Sequence, residues 1–221
     1  MVLLTLVALL TLLVVLVKLE LRMHELNLRL GRESLMLYLE RDIDPKFTSY
    51  ADQVKARDHN TCQFCGFQSS KCMKVVNVDH NYRNNLMSNL ATACPFCVQC
   101  IFLESVGNLL PGGGYLIHMP DISQARLNGA SHVLFAAIVN GSHLSSKADS
   151  MVKTLKLRTA EVEGHFGKGM SSPGFMGRMM IDTPGMDFST EELILKDLRL
   201  LPSLKHFEKD ILNWAHQAQM F

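Results

Sequence analysis

Three observations predict an α+β fold organised around a bound metal: two cysteine knuckles, alternating leucines ahead of them, and helical periodicity over residues 121–221. The knuckles are Cys62-Gln63-Phe64-Cys65-Gly66 and Cys94-Pro95-Phe96-Cys97. A C-x2-C pair brings two thiolates onto one ion while the intervening amides point at the sulfurs, and a second pair completes a tetrahedron. Cys62, Cys65, Cys94 and Cys97 are therefore expected to hold one structural Zn2+. Two disulfides, the competing reading, need an oxidising compartment.

The chain has 221 residues, 48% of them hydrophobic, enough to supply a core without help, so the metal is expected to organise locally. Its 22 Lys and Arg against 21 Asp and Glu leave a formal charge of +1 with no long run of either sign. Nucleic acid is not an expected partner on this balance. All six cysteines fall between residues 62 and 100, clustered as ligands cluster, which points to a reducing, cytoplasmic setting.

Residues 1–17 are uncharged and sit at the lower edge of what spans a bilayer. The segment lacks the basic start and small-residue cleavage site of a signal peptide. It reads either as an anchor that leaves Lys18 and Arg22 in the cytoplasm, or as translated upstream sequence with Met23 as the start. Three segments follow: an apolar leader over 1–22, a β-hairpin plus metal module over 23–120, and a helical region over 121–221.

In the module, Leu26, Leu28 and Leu30 and then Leu35, Leu37 and Leu39 alternate around Gly31-Arg32, the pattern of a hairpin. Asp44-Pro45 opens a helix with Phe47, Tyr50, Ala51 and Val54 on one side. Gly66 supplies the left-handed turn closing the first knuckle. Residues 74–78 read as a strand ending at Asp79-His80, and residues 115–118, after a glycine-rich break, as another.

Residues 123–139 predict a helix with Leu127, Ala130, Leu134, Ala137 and Ile138 on one face, and residues 146–166 a second. Residues 167–177 read as loop. Ser189-Thr190-Glu191-Glu192 has capping-box spacing. Leu204, Phe207, Ile211, Trp214 and Ala218 form the apolar stripe of the last helix.

Two knuckles enclosing Asp79-His80 and Asn89-Leu90 resemble the HNH endonuclease module, a ββα-metal fold, over residues 54–99. The resemblance implies His80 as general base, Asp79 as ligand of a catalytic divalent metal, and Asn89 as the residue holding their loop. The family's last ligand follows the final cysteine, and here that position is Val98, which offers no lone pair. Residues 40–100 carry seven Lys and Arg against six Asp and Glu, no phosphate clamp. The module is read as a zinc scaffold without catalysis, with a metal-dependent endonuclease and a membrane-anchored zinc protein as alternatives. Cys94-x2-Cys97-x2-Cys100 also resembles part of a ferredoxin-type cluster motif, which leaves an iron–sulfur reading open.

Further blocks narrow the likeness: Thr61-Cys62-Gln63-Phe64-Cys65-Gly66-Phe67-Gln68, Ser88-Asn89-Leu90-Ala91-Thr92-Ala93-Cys94, Phe102-Leu103-Glu104-Ser105-Val106-Gly107, Ser131-His132-Val133-Leu134-Phe135, Met180-Ile181-Asp182 and Arg199-Leu200-Leu201-Pro202-Ser203. With these the chain, outside residues 1–22, resembles the IcmJ/DotN family of the Dot/Icm type IVB secretion system. The resemblance implies a noncatalytic subunit of the coupling complex at the cytoplasmic face of the bacterial inner membrane, serving protein transport and virulence. It implies binding to the C-terminal extension of the coupling ATPase, beside that ATPase's other adaptor proteins, to recruit effectors. Membrane association would run through the ATPase or through residues 1–17.

Overall fold

In the computed structural model, which describes residues 23–218, the chain enters as an extended segment, residues 24–31, with Leu26, Leu28 and Leu30 buried. The leader over 1–22 lies outside the described residues. The α+β class holds: an antiparallel strand pair and a four-cysteine cluster in the first half, mainly helix in the second.

The hairpin expected over residues 24–39 is not where the antiparallel pair forms. Its second arm is a helix, α1 (Glu33–Asp42), which buries Leu35, Tyr38 and Arg41. The segment is rich in Leu, Glu and Met, good helix formers, and its face repeats every third residue. That face ends on an arginine, which hides it from an apolar-pattern reading. Arg41 donates to the Asn77 and Asn85 side chains and to the Val75 carbonyl, with its guanidinium over the Phe47 and Tyr82 rings. A buried cation is tolerable because amides, a carbonyl and aromatic faces replace its water.

Helix α2 (Pro45–Arg57) starts as predicted: Asp44 accepts from the Lys46 N–H, and Pro45 occupies the first turn, where its missing N–H costs nothing. Its Val54 packs with Val75 and Leu90, flanked by Phe47, Tyr50 and Ala51. The antiparallel pair is β1 (Lys74–Asn77) with β2 (Leu90–Ala93), in register from Lys74↔Ala93 to Asn77↔Leu90. β2 runs into the second knuckle and α3 (Pro95–Ile101).

A second pair, β3 (Gly114–His118) with β4 (Leu198–Pro202), joins residues far apart in sequence. β4 went unpredicted. Between its strands lie α4 (Gln124–Val139), α5 (Ser145–Leu157), α6 (Thr159–Phe166), α7 (Pro173–Asp182) and α8 (Phe188–Leu195). The single helix expected over 146–166 breaks at Arg158 into α5 and α6. The loop expected over 167–177 gives way to α7 because its glycines serve close packing. A Cβ at Gly174 would lie 2.3 Å from the Val106 carbonyl oxygen, and one at Gly177 would lie 2.7 Å from the Glu104 backbone.

The cap of α8 is Asp187, which accepts from the Thr190 N–H; Ser189 instead lies inside the helix. Helix α9 (Glu208–Ala218) follows a short 3-10 turn, and Phe207, Ile211 and Trp214 of the predicted stripe are buried.

Two buried carboxylates tie the entry segment to this body. Glu191 accepts from the Leu30 N–H at 2.8 Å and pairs with Arg32 at 3.2 Å, while Glu104 accepts from the N–H groups of Gly31 and Arg32 at 2.9 and 2.7 Å. Glu191→Ala leaves a buried N–H and a guanidinium unmet. It should cost about 2 kcal/mol, a fall of roughly 4–8 °C in Tm for a chain of this size, read by calorimetry, with Glu191→Gln losing less.

Candidate metal centre

The knuckles are backbone turns before they are a site. In the first, the Gly66 N–H donates to the Cys62 carbonyl, and Gly66 takes φ +77°, the left-handed value expected of it. In the second, Cys94 precedes α3, and the N–H groups of Cys97 and Val98 both donate to its carbonyl. The Gln63 N–H donates to the Thr92 carbonyl, so the knuckles face each other across a backbone bond at the end of β2.

The result is a cage. The sulfurs of Cys62, Cys65, Cys94 and Cys97 lie within 4.8 Å of one another, with Cys65 and Cys94 at 3.6 Å. A disulfide would hold its sulfurs at about 2.05 Å, and all six cysteines are free. Four thiolates around one ion at a Zn–S distance of about 2.3 Å stand roughly 3.8 Å apart, the spacing of this cage. Cys62, Cys94 and Cys97 are buried, and Cys65 alone is half-buried, beside a cavity lined by Phe64 and Gly129.

Electrostatics agree with the geometry. Burial pushes the Cys94 and Cys97 thiols well up, and thiol hydrogen bonds with Cys62 add to the rise. At Cys62 burial acts the same way, but hydrogen bonds from Cys65, Cys94 and Cys97 outweigh it and pull the group well down. The cage by itself favours one thiolate; a divalent cation is what lets four coexist. The donor set and spacing fit such an ion.

Helix α4 supports the cage with a polar face. Of the apolar face expected for it, only Leu127 is fully buried; Ala130 is exposed, and the inward residues include Gln124, Asn128, Ser131 and His132. Ser123 caps the helix through the Arg126 N–H, and Gln124 bonds both the N–H and the carbonyl of Leu200 on β4. One turn on, Asn128 Nδ2 donates to Cys97 Sγ at 3.3 Å, and after another turn His132 Nε2 lies 3.3 Å from Cys94 Sγ.

The His132 ring is clamped between Phe67, 3.7 Å away at an interplanar angle of 2°, and Phe96, 4.1 Å away at 14°, with Trp214 edge-on at 5.0 Å. Burial drops its pKa to about 3, so the ring is neutral and can carry its proton on Nε2 toward sulfur. Asn128 and His132 were missed because an apolar-stripe reading passes over them. Polar residues at 124, 128 and 132 on one helix were the available signal.

The two other cysteines stand apart from the cage. Cys100 Sγ donates to the Phe96 carbonyl, and Cys72 donates to Asp210 at 3.1 Å. Burial, then Asp210, raises the Cys72 thiol to about 11.

The residues matched to nuclease roles do not assemble a second metal site. Among the described residues the cysteine cage alone brings together three or more metal-binding side chains. The Asp79 carboxylate accepts from the Asn81 N–H, Asn84 Nδ2 and Asn89 Nδ2, each at 2.8 Å, and Asn89 Oδ1 accepts from the Asp79 N–H. Asn89 thus braces the loop. His80 sits at φ +59° with Nδ1 buried and unpartnered. Burial, then the nearby Arg29 charge, lowers its pKa to about 4. Val98 is buried on a different cavity from His80.

Fold and cage together define an α+β protein built on paired cysteine knuckles. No protein-family model matches the chain. It is 45% identical over 194 residues to the type 4 apparatus protein DotN of Legionella pneumophila, a match covering 88% of this chain and 91% of that protein. The chain belongs to the DotN family.

Replacing a group that orients a metal ligand typically costs 10- to 100-fold in affinity. Asn128→Leu and His132→Phe should each weaken metal binding by roughly tenfold or more, measured by competition with a chromogenic chelator. Helical content should stay unchanged while metal is bound.

Proposed function

We propose that this chain is a noncatalytic, zinc-stabilised adaptor subunit of a type IVB secretion coupling complex. It binds the C-terminal extension of the coupling ATPase alongside that ATPase's other adaptor proteins and helps to recruit effector proteins. Its place is the cytoplasmic face of the bacterial inner membrane. Among the described residues no helix is long and apolar enough to cross a membrane, and membrane association runs through the ATPase or through residues 1–17.

One observation carries this: the four cage cysteines, three of them buried and Cys65 half-buried, gather where the knuckles, β2 and α4 meet. A metal so placed fixes shape. Structural zinc contributes about 10–16 kcal/mol to small metal-bound peptides near neutral pH, enough to set the geometry of everything that docks on it. Asp79 is spent on its own loop, and the position after Cys97 is an apolar valine. Kinship with a type 4 apparatus protein over nearly the whole of both chains supports the complex named.

Cys62→Ser should release the metal, lower Tm by roughly 10 °C or more and abolish capture of the coupling ATPase from the native host. Cys72→Ser, outside the cage, should capture it normally. Unchanged stability and capture in Cys62→Ser would remove the proposal. Cleavage of DNA with Mg2+ or Mn2+ that disappears in His80→Ala would replace it with the nuclease reading.

A further inference from the structure

Helix α5 carries a face that the fold does not use. Its inner side is settled: Ala148 is buried, and Leu155 packs with Ile117 of β3, Leu127 of α4 and Leu201 of β4. Toward solvent, Leu144 just ahead of the helix is 50% exposed, Met151 48% and Leu157 73%, a spread of about 20 Å along the axis.

Those apolar side chains stand among cations. Residues 144–158 contain Lys147, Lys153, Lys156 and Arg158 against Asp149, a net charge of +3 in a chain whose total is +1. The positive charge of a nearly neutral protein is therefore gathered on this one helix, and the remaining residues sum to −2. Lys147 is exposed and has no ion-pair partner among the described residues. Lys153 pairs with Asp149 at 2.7 Å yet keeps its side chain 75% exposed, and Lys156 lies over the Tyr115 ring, 4.0 Å from the centroid.

Shape and charge select the occupant. Five cavities of about 410 to 800 Å3 open among the described residues, and α5 lines none of them. Its outer side is a ridge, which offers a peptide no groove. A nucleic-acid backbone would take the cations and leave Met151 and Leu157 in water. A sheet of anionic headgroups takes both, because lysine stems reach up to phosphates while the apolar side chains between them enter the acyl boundary. Such a surface attracts helices bearing about four to eight cations, and α5 with Arg158 bears four.

We propose that the outer side of α5 docks on an anionic lipid bilayer, with Lys147 and Lys153 at the headgroups and Leu144, Met151 and Leu157 in the interface beneath them. The choice of a lipid surface over an acidic protein rests on the reading above that places the chain at the inner membrane.

The test mixes the full, zinc-loaded chain with vesicles of phosphatidylcholine alone or of phosphatidylcholine and phosphatidylglycerol in equal parts. Brief lysine acetylation, mapped by peptide mass spectrometry, then reports which lysines the lipid covers, and so separates α5 from insertion of residues 1–17. Lys147 and Lys153 should be acetylated roughly fivefold more slowly on the mixed vesicles and at the free-chain rate beside phosphatidylcholine. Lys147→Gln should raise the lipid concentration that protects Lys153 by roughly fivefold, the loss of one cation at such a surface. An unchanged Tm checks that the variant folds, and the comparison of the two vesicles needs no variant. Equal protection by phosphatidylcholine, protection at Lys147 and Lys153 no greater than at Lys46 of α2, or the same protection from a polyglutamate peptide or a short DNA duplex overturns the proposal. A chain that captures the coupling ATPase but shows no such footprint keeps the adaptor reading and loses this one. A footprint without capture does the reverse.

Discussion

Hydrogen bonding between helix α4 and the cage sulfurs is the interaction on which the two halves of the molecule depend. Four thiolates around a divalent ion carry net negative charge in a buried place, and such charge is stable only where donors face it. Asn128 faces Cys97 and His132 faces Cys94, while Gln124 on the same face engages both backbone groups of Leu200. One polar helix face therefore holds the metal module on one side and β4 on the other. An apolar face would have packed against strands but left the sulfurs bare.

The aromatic clamp makes that contact rigid. Phe67 comes from just after the first knuckle, Phe96 lies inside the second, and Trp214 comes from the last helix, so the His132 ring touches three separate parts of the chain. Phe67 and Phe96 stack on the two faces of the imidazole, and an edge-on contact such as that of Trp214 contributes about 0.5–1.5 kcal/mol beyond the area it buries. Imidazole orientation is fixed by packing, and sulfur receives a hydrogen bond without the entropy cost of ordering a mobile side chain. Cage, clamp and helix are one unit, so an ion held in the cage would shape a surface far larger than its own loop.

Much of this was legible in the residues. Cysteine spacing found the cage, because two C-x2-C turns have few other uses at that separation, and Asp44-Pro45, the periodicity of residues 123–139 and the Phe207, Ile211, Trp214 stripe placed three helices. The failures share a cause: residues whose inward role contradicts their polarity or size. Buried Arg41 disguised α1 as a strand. Gly174 and Gly177 looked like loop but sit where α7 presses on the backbone of residues 104–106. Gln124, Asn128 and His132 face the core because their partners there are polar, and a pattern search for apolar faces looks past them. β4 is short and follows directly on α8, so nothing local separated it from a helix.

The pairing of β3 with β4 joins Gly114 to Pro202 and so closes an excursion that holds five helices. On a ribosome, all four cage cysteines emerge before any residue of α4 exists, and β4 emerges after α8. The order of synthesis thus lets the cage gather its ion first. Pairing of β3 waits for a strand near the C-terminus, because closing so long a loop forms no ladder until its far end arrives. A nascent chain halted before Leu198 would carry a finished cage and an α4 whose Gln124 has no strand to grip.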